Sequence, residues 1–142
     1  MSTLEWQDRY SVGVDEIDSD HHEIVSIINK LDEVMSSGKA RDGLPSIMGR
    51  LVDYTRDHFR REEALMAQYQ YPETDQHKET HKKFIAEFGK IQAALVRGNY
   101  AISITLFSLL RNWLIDHIMV VDRDLGKHIN HCKSVIGKNM AA

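Results

Sequence analysis

The stretch HKETHKKFIAEFGKIQAAL, residues 77–95, decides the fold of this chain. Histidines and apolar residues recur in it three or four positions apart, at His77, His81, Phe84, Phe88, Ile91 and Leu95. This spacing places all six side chains on one face of an α-helix. Most of that face is apolar, but it begins with two histidines, which are costly to bury unless something binds them. The stretch therefore predicts a core-facing helix with a binding site near its start.

Three further stripes with the same spacing predict three more helices. Asp18-Ser19-Asp20 forms an acidic helix start before the first stripe, and Gly38 and Gly98 stop the first and third helices. Short connections between the stripes favour antiparallel neighbours. We therefore expect an all-α, up-down-up-down antiparallel four-helix bundle with an irregular N-terminal arm. The stripes are His21, Ile24, Ile28, Leu31 and Met35; Leu51, Thr55, His58, Glu62, Leu65 and Tyr69; and Ser103, Leu106, Leu110, Trp113 with Leu114, His117 and Val121.

The breaks between the helices predict the organisation of a single domain of 142 residues. We expect Pro45 in the first turn of the second helix, after a loop over 38–44. Thr74 is expected to cap the third helix, and the fourth is expected to fray after Leu125–Gly126. The expected segments are an arm over 1–17, a four-helix bundle over 18–131 and a C-terminal tail over 132–142.

The composition is that of a globular protein without a strongly charged surface. The net charge is −3 and 27% of the residues are charged, so nothing indicates a nucleic-acid groove or a polybasic membrane patch. The start, MSTLEWQDRY, lacks the pattern of a secretory signal, and no apolar run reaches the roughly 20 residues of a membrane helix. Cys132 is the only cysteine. We expect a cytoplasmic monomer that binds no nucleic acid and has no transmembrane segment.

Polar, titratable residues fall in register with every stripe. A single His–Glu or His–His pair four residues apart is usually an exposed polar pair, but several pairs in register with apolar stripes weaken that interpretation. Imidazole suits iron, zinc, copper and nickel, while carboxylates can bridge two ions. The set is too large for one ion; divided over two ions it leaves one open position for an external ligand. The candidate metal ligands are His21, His58, Glu62, His77, His81, His117 and Asp122.

Register and spacing refine this set. His21 shares the face of Ile24, whereas its neighbour His22 lies about 100° around the helix and receives no role. The motif HKETH is not the zinc-protease HExxH, because Lys78 occupies the glutamate position. His117 and Asp122 are five residues apart, about 140° of rotation on a regular helix. Either Asp122 is only a charge near a helix end, or the helix widens there by a π-bulge, which is the hypothesis we adopt.

In order along the chain, these residues resemble the hemerythrin family in its single-domain bacterial form, bacteriohemerythrin. The resemblance covers nearly the whole chain and departs where Asp20 replaces a frequent glutamine. It implies two iron ions joined by an oxo or hydroxo bridge, with Glu62 and Asp122 bridging, and reversible O2 binding. It also implies that His77, His81 and His117 complete one iron, while His21 and His58 hold a five-coordinate iron. The matching pieces are the Trp6 arm, Ile17-Asp18-x-x-His21, His58-Phe59-x-x-Glu62-Glu63, His77-x-x-x-His81 and Trp113-Leu114-x-x-His117-Ile118-x-x-x-Asp122.

Residues one turn from the ligands are candidates to line the O2 pocket. Ile24 follows His21 by three positions and Leu114 precedes His117 by three, so we expect these two to gate the pocket. For Phe59, Leu65 and Trp113, which we rank lower, an ordinary core role is favoured. In the tail, His128, His131 and Cys132 could bind zinc or copper, but a polar helix end with a free thiol is favoured because no fourth ligand is near.

Several functions are compatible with such a centre. The leading hypothesis is a binding protein, not an enzyme: an oxygen carrier, store or delivery protein that supplies an O2-consuming recipient protein. An O2 or redox sensor would need a separate output partner. A diiron enzyme handling peroxide or nitric oxide would need inward-pointing proton donors, for which Glu23, Glu63 and Tyr54 are candidates. Sequestration of iron or zinc fits less well, because seven strong ligands in a closed core suit a fixed cofactor.

Overall fold

The computed structural model describes residues 4–141, and side chains up to residue 137. Those residues form helices and no strand, which confirms the all-α prediction. Residues 1–3 and 142, which belong to the predicted arm and tail, lie outside this range. The helices are α1 (Asp15–Ser36), α2 (Ala40–Gln68), α3 (Thr74–Val96), α4 (Ser103–Asn112), a π-helix (Trp113–Asp122) and α5 (Arg123–Ala141), with short 3-10 turns at Asp8–Tyr10 and Tyr100–Ile102.

Each long helix packs against two others, as in a helical bundle. Helix α1 contacts α2 and α4, and α3 contacts the same two helices from the other side of the ring. The π-helix and α5 continue α4 without a break, so the fourth column of the bundle is one long helical element. The antiparallel up-down order and the N-terminal arm stay predictions, which the short connections favour.

Two helix starts lie earlier than predicted. Helix α1 begins at Asp15 and not Asp18, whose carboxylate accepts hydrogen bonds from the Ser11 hydroxyl (2.6 Å) and the Val12 amide (2.7 Å). The predicted loop over 38–44 is largely helical, because α2 begins at Ala40 and contains Pro45. Pro45 is thus the sixth residue of α2 and lies beyond the first turn predicted for it, so the helix forgoes one i to i−4 hydrogen bond there. The extra turn buries Leu44 completely.

The third and fourth helices also depart from their predicted ends. Thr74 is the first residue of α3 and donates a hydrogen bond to the Tyr71 carbonyl (2.6 Å), so it does not cap the helix. The predicted fraying after Leu125–Gly126 is wrong, because α5 continues to Ala141. Leu125 is buried, and the Val12 carbonyl approaches Gly126 so closely that an added Cβ would clash with its oxygen. This contact anchors the N-terminal segment on α5.

Apolar side chains form two clusters with the polar candidate ligands between them. Along α1, Ile17 belongs to the smaller cluster and Ile24 to the larger, with His21 between them. The same order recurs on α2 and along the fourth column, where Met66 and Leu125 belong to the smaller cluster. The smaller cluster consists of Val12, Val14, Ile17, Met66, Tyr71, Leu125 and Ile129, while the larger includes Ile24, Leu31, Leu51, Phe59, Phe84, Leu106, Leu114 and Ile118.

One helical element, Tyr100–Gly137, is long and apolar enough by length and composition to cross a membrane. The core helix of a soluble protein passes the same test, so the finding is weak evidence for a span. This element also carries His117 and Asp122, which face the other helices of the bundle.

Candidate metal centre

The structure brings all seven predicted ligands together in the layer between the two apolar clusters. Each exposes at most 4% of its surface, although all seven are polar and titratable. Their ligand atoms form two overlapping groups, and within each group every atom lies within 4.8 Å of the others. The groups are Glu62, His77, His81, His117 and Asp122, which we call the three-histidine side, and His21, His58, Glu62 and Asp122, which we call the two-histidine side.

On the three-histidine side, one oxygen of each carboxylate meets the imidazole nitrogens. Glu62 Oε1 lies 3.1 Å from His77 Nε2 and 3.0 Å from His81 Nε2. Asp122 Oδ1 lies 3.0 Å from His77 Nε2 and 2.8 Å from His117 Nε2. All three histidines therefore present the same ring nitrogen to the centre.

On the two-histidine side, the other oxygen of each carboxylate lies close to an imidazole nitrogen. His58 Nε2 lies 3.0 Å from Glu62 Oε2, and His21 Nε2 lies 2.9 Å from Asp122 Oδ2. Each carboxylate thus directs one oxygen to each side. This is the arrangement that a carboxylate bridging two ions requires.

Buried atoms without hydrogen-bond partners test whether this donor set fits metal ions. His58 Nε2, Glu62 Oε2, His117 Nε2 and Asp122 Oδ1 are buried and make no hydrogen bond within the described residues. His58 Nε2 lies 3.0 Å from Glu62 Oε2, and His117 Nε2 lies 2.8 Å from Asp122 Oδ1. Neither pair is oriented to form a hydrogen bond. Buried polar atoms are rarely left unpartnered, so their lone pairs need an additional group. Metal ions held among imidazole and carboxylate donors would supply it.

The π-helix brings His117 and Asp122 onto one face. Residues five apart stand above each other when the hydrogen bonds run from i to i+5, which resolves the spacing that a regular α-helix cannot accommodate. The predicted widening is confirmed, but it is longer than a one-turn bulge, because the π-helix spans ten residues from Trp113 to Asp122.

Protons are bound tightly by the metal-free cluster. Burial opposes a charged ring, yet the Glu62 carboxylate and the bond to Asp20 outweigh it and raise the pKa of His58 to about 10. Likewise, burial is outweighed by the contacts with the Asp122 and Glu62 carboxylates, which raise the pKa of His77 to about 9. Despite burial, the same histidine contacts hold the pKa of Glu62 well below its ordinary value. Metal ions must therefore displace protons to bind.

Comparison with known proteins assigns the family. A profile of the Hemerythrin HHE cation binding domain matches residues 12–129, which include every candidate ligand. The chain belongs to the hemerythrin family. It is 35% identical over 118 residues to the bacteriohemerythrin of Stenotrophomonas maltophilia (strain R551-3), covering 83% of this chain and 76% of that protein.

Two further relatives align with this chain over most of their length. The bacteriohemerythrin of Pseudomonas aeruginosa (strain UCBPP-PA14) is 32% identical over 139 residues, covering 98% of this chain and 90% of the relative. Myohemerythrin-1 of Phascolopsis gouldii is 29% identical over 118 residues, covering 82% and 87%. Membership of the hemerythrin family, together with the cluster of histidine and carboxylate donors, supports a non-haem diiron site and oxygen binding.

Sequence reasoning missed the residues that contact the outer nitrogens of the candidate histidine ligands. Asp20 Oδ2 lies 2.9 Å from His58 Nδ1, and Arg61 binds both oxygens of Asp20. On the other side, Glu63 Oε2 lies 3.2 Å from His81 Nδ1. The sequence held one indication of these residues: Asp20 directly precedes the candidate ligand His21, and Arg61 directly precedes Glu62. Adjacency alone does not identify the partner across the bundle.

The predicted pocket residues occupy different places around this hemerythrin centre. Ile24 and Leu114 are buried in the larger cluster. Phe59 stacks on His81, with ring centroids 3.9 Å apart, and Trp113 stacks on His117 at 3.6 Å, so both cover the three-histidine side. Leu65 is partly buried against the smaller cluster. These positions favour an ordinary core role for Phe59, Leu65 and Trp113.

The remaining histidines do not join the centre. His22 is exposed and stacks on Trp6, with ring centroids 3.6 Å apart, in agreement with the absence of a metal role. In the tail, His128 Nε2 bonds the Tyr69 carbonyl (2.7 Å) and lies 3.5 Å from Cys132 Sγ. No cluster of three metal-binding side chains forms there within the described residues. A polar helix end with a free thiol remains the favoured interpretation.

Proposed function

We propose that this chain binds O2 reversibly at a diiron centre and acts as a cytoplasmic oxygen carrier, store or delivery protein. The main support for this proposal is the unequal division of donor residues, with five on the three-histidine side and four on the two-histidine side. If both ions share one oxo or hydroxo bridge, as the resemblance to hemerythrins implies, one ion has six ligands and the other five. The two-histidine side then keeps one position for O2.

The donor set favours binding over oxygenation. When bound in its reduced state, iron supplies the electrons that O2 binding requires. Bundles with Glu and Glu-x-x-His ligands surround their ions with more carboxylates. More negative charge favours higher oxidation states of the metal and therefore cleavage of O2. Five neutral imidazoles and two carboxylates offer less of that stabilisation, which favours release of O2 unchanged.

The apolar residues around the centre keep water away from the metal ions. Ile24 is fully buried and Leu114 is 2% exposed. Leu114 also lines a groove of about 840 Å³, between the N-terminal segment and the fourth helical element, that opens to solvent. We propose that these two side chains form the gate through which O2 enters while water and anions are kept from the metal ions.

The gate is tested with two leucines of the same helical element. Leu114→Ala should accelerate autoxidation of the oxygenated protein and raise the O2 off-rate, because it opens a path to the centre. Leu106→Ala is the matched control, since Leu106 is also buried but precedes His117 by eleven residues along the same helical element. Stopped-flow and absorbance measurements report both rates. Equal rates in wild type and Leu114→Ala would refute the gate.

The decisive experiment for the proposed function is a cycle of oxygenation. The iron-loaded protein is reduced anaerobically, exposed to air and then evacuated, while visible absorbance is recorded. A band that appears with air and disappears under vacuum supports carriage. Immediate irreversible oxidation would oppose it, as would metal analysis that finds one zinc ion per chain and no iron.

Tyr54 favours a second candidate function, the handling of peroxide or nitric oxide. Of the three proposed proton donors, Glu23 is exposed and bound by Arg50 at 2.8 Å, and Glu63 lies on the three-histidine side. Tyr54 is buried beside His58, and its hydroxyl has no partner among the described residues. Catalytic consumption of peroxide that falls in Tyr54→Phe would support this enzyme. A sensor would use the same centre and differ only in its output partner.

A further inference from the structure

A hydrogen-bonded chain connects the two-histidine side to the protein surface. His58 Nδ1 lies 2.9 Å from Asp20 Oδ2. Arg61 Nε donates to the same oxygen (2.8 Å), and Arg61 Nη2 donates to Asp20 Oδ1 (2.6 Å). The Asp20 side chain is 12% exposed and that of Arg61 is 50% exposed. The chain therefore starts at a fully buried ring and ends at a half-exposed guanidinium.

The first link of this chain defines which nitrogen of His58 faces the centre. A carboxylate accepts hydrogen bonds, so the Asp20 contact requires the proton on Nδ1. Nε2 then faces Glu62, where it has no hydrogen-bond partner, and it is the nitrogen that offers its lone pair once a metal ion displaces the proton there. Such carboxylate contacts fix the orientation of a metal-binding imidazole and raise its basicity.

The second link holds Asp20 in that position. A bidentate guanidinium contact engages both carboxylate oxygens in one plane, so rotation of Asp20 away from His58 would break two bonds. The pair also joins α1, which carries Asp20, to α2, which carries Arg61 and His58. The ring of Tyr54 is nearly parallel to that of His58, at an interplanar angle of 14° and a centroid distance of 5.1 Å.

The corresponding contact on the three-histidine side is weaker. Glu63 Oε2 lies 3.2 Å from His81 Nδ1, and the Glu63 side chain is 36% exposed. Within the described residues, no lysine or arginine forms a salt bridge with Glu63. A surface carboxylate without a fixed partner orients a ring less firmly than one held by two bonds.

We propose that Asp20 and Arg61 form a positioning pair for His58, which sets how tightly the two-histidine side holds its metal ion. This inference rests on the proposed function in taking His58 as a metal ligand. Asp20 acts by fixing the proton and orientation of the ring, and Arg61 acts by holding Asp20. The consequence is selective: disruption of the pair should affect one of the two ions.

Stepwise titration with Co²⁺ under anaerobic conditions tests this selectivity. Asp20→Ala should weaken one of the two equivalents by about 10- to 100-fold, the usual effect of removing an outer contact of a ligand, and leave the other unchanged. Arg61→Gln should weaken the same equivalent by a smaller factor. Asp53→Ala is the matched control, because Asp53 is an exposed carboxylate of α2 that pairs with Arg56 and not with Arg61.

A spectroscopic readout separates positioning from general stability. In the Co²⁺-loaded protein, the exchangeable Nδ1 proton of His58 should give a shifted proton resonance protected by Asp20. We expect that resonance to vanish through fast exchange in Asp20→Ala and to return in Asp20→Asn, which keeps an acceptor oxygen. If Asp20→Ala fails to fold by circular dichroism, Arg61→Gln, which leaves Asp20 in place, carries the test.

The Co²⁺ titration distinguishes failure of the proposed diiron function from failure of the positioning pair. If the wild-type protein binds fewer than two ions, the diiron function itself fails. If it binds two but Asp20→Ala weakens both equally or neither, the positioning pair is refuted while the diiron function stands. A selective loss of one equivalent together with loss of the His58 proton signal supports the pair.

Discussion

The two sides of the metal centre are held by different interactions. On the three-histidine side, aromatic rings cover the ligands: Phe59 lies parallel to His81 at 3° and Trp113 lies parallel to His117 at 10°. On the two-histidine side, His58 is held by the Asp20–Arg61 pair, with an oxygen–nitrogen distance of 2.6 Å between those two residues. One side is fixed by apolar packing and the other by charge.

This difference matches the division of donors. The side with more ligands lies against buried aromatic rings, which pack with little freedom and keep water away. The side with fewer ligands, where we place O2 binding, reaches the half-exposed Arg61 through polar contacts. Polar contacts near the surface respond to salt and substitution more than buried packing does. We therefore expect the two sides to respond differently to substitutions outside the ligand set.

The largest effect should come from Glu62, which belongs to both sides. Glu62→Ala removes Oε1 from His77 and His81 and Oε2 from His58, so we expect iron content to fall from two ions per chain to about one or fewer. Metal analysis after anaerobic loading measures it. The neighbouring Glu63→Gln touches only His81 Nδ1 and should retain two ions. Retention of two ions by Glu62→Ala would contradict a bridging role.

Spacing along the helices predicted which residues meet at Glu62, but not how the layer around them is completed. The period of an α-helix identifies a shared face, so His58, Glu62, His77 and His81 could be grouped from sequence. Contacts between helices depend on axial offset and rotation, which periodicity does not contain. Periodicity therefore could not show that Asp20 of α1 reaches His58 of α2.

The fourth helical element shows the same limit. The five-residue interval between His117 and Asp122 predicted a widened helix, because only one backbone form places both residues on one face. Its extent, from Trp113 to Asp122, was not predictable from that interval. Continuation through Gly126 depends on the close approach of Val12, a contact between distant parts of the chain.

The second-largest effect should come from the aromatic cover of the three-histidine side. Trp113 is 8% exposed and contacts both His117 and Phe84. Trp113→Ala should lower the free energy of unfolding of the metal-free protein by about 3–5 kcal/mol. Urea denaturation followed by circular dichroism measures it. Trp6→Ala, the other tryptophan, is the control, because Trp6 is only partly buried. A similar loss in both variants would remove the distinction between the two sides.

A smaller effect concerns protons, and here the sides should behave alike. At pH 7 the metal-free protein carries a second ring proton on His58, with a pKa of about 10, and on His77, with a pKa of about 9. Loading with Zn²⁺ should release about two protons per chain, one from each side. Calorimetry in buffers of different ionisation enthalpy measures this number. Release of no protons would contradict both pKa values.

The same two histidines give the metal-free protein a pH-dependent stability. Their pKa values lie above the ordinary 6.5, so the folded state binds protons more tightly than the unfolded chain. Their contribution is complete below pH 6.5 and is lost as the pH rises through 9 to 10. Glu62 acts in the opposite range: its pKa is lowered, so its contribution exists above pH 4.5 and is lost in acid. Urea midpoints between pH 6 and 10 should therefore fall for metal-free protein and stay level for loaded protein.

The smallest change in stability is expected from Tyr54→Phe, and here a gain is expected where the other substitutions cause a loss. Burial raises the pKa of Tyr54 well above its ordinary value, so the hydroxyl stays neutral, and it has no hydrogen-bond partner among the described residues. Tyr54→Phe removes one unpartnered buried group and keeps the ring beside His58. The metal-free protein should gain about 1 kcal/mol of stability in urea denaturation.

The oxygenated protein distinguishes two uses of the Tyr54 hydroxyl. If the group only fills space beside His58, Tyr54→Phe should bind and release O2 at the wild-type rates. If it donates a hydrogen bond to a ligand held on the two-histidine side, the variant should release O2 faster, although its metal-free form is more stable. Trp113→Ala, which alters the other side, is the comparison for both rates. Faster release in Tyr54→Phe alone would place the ligand beside His58, where the smaller number of protein donors leaves a position open.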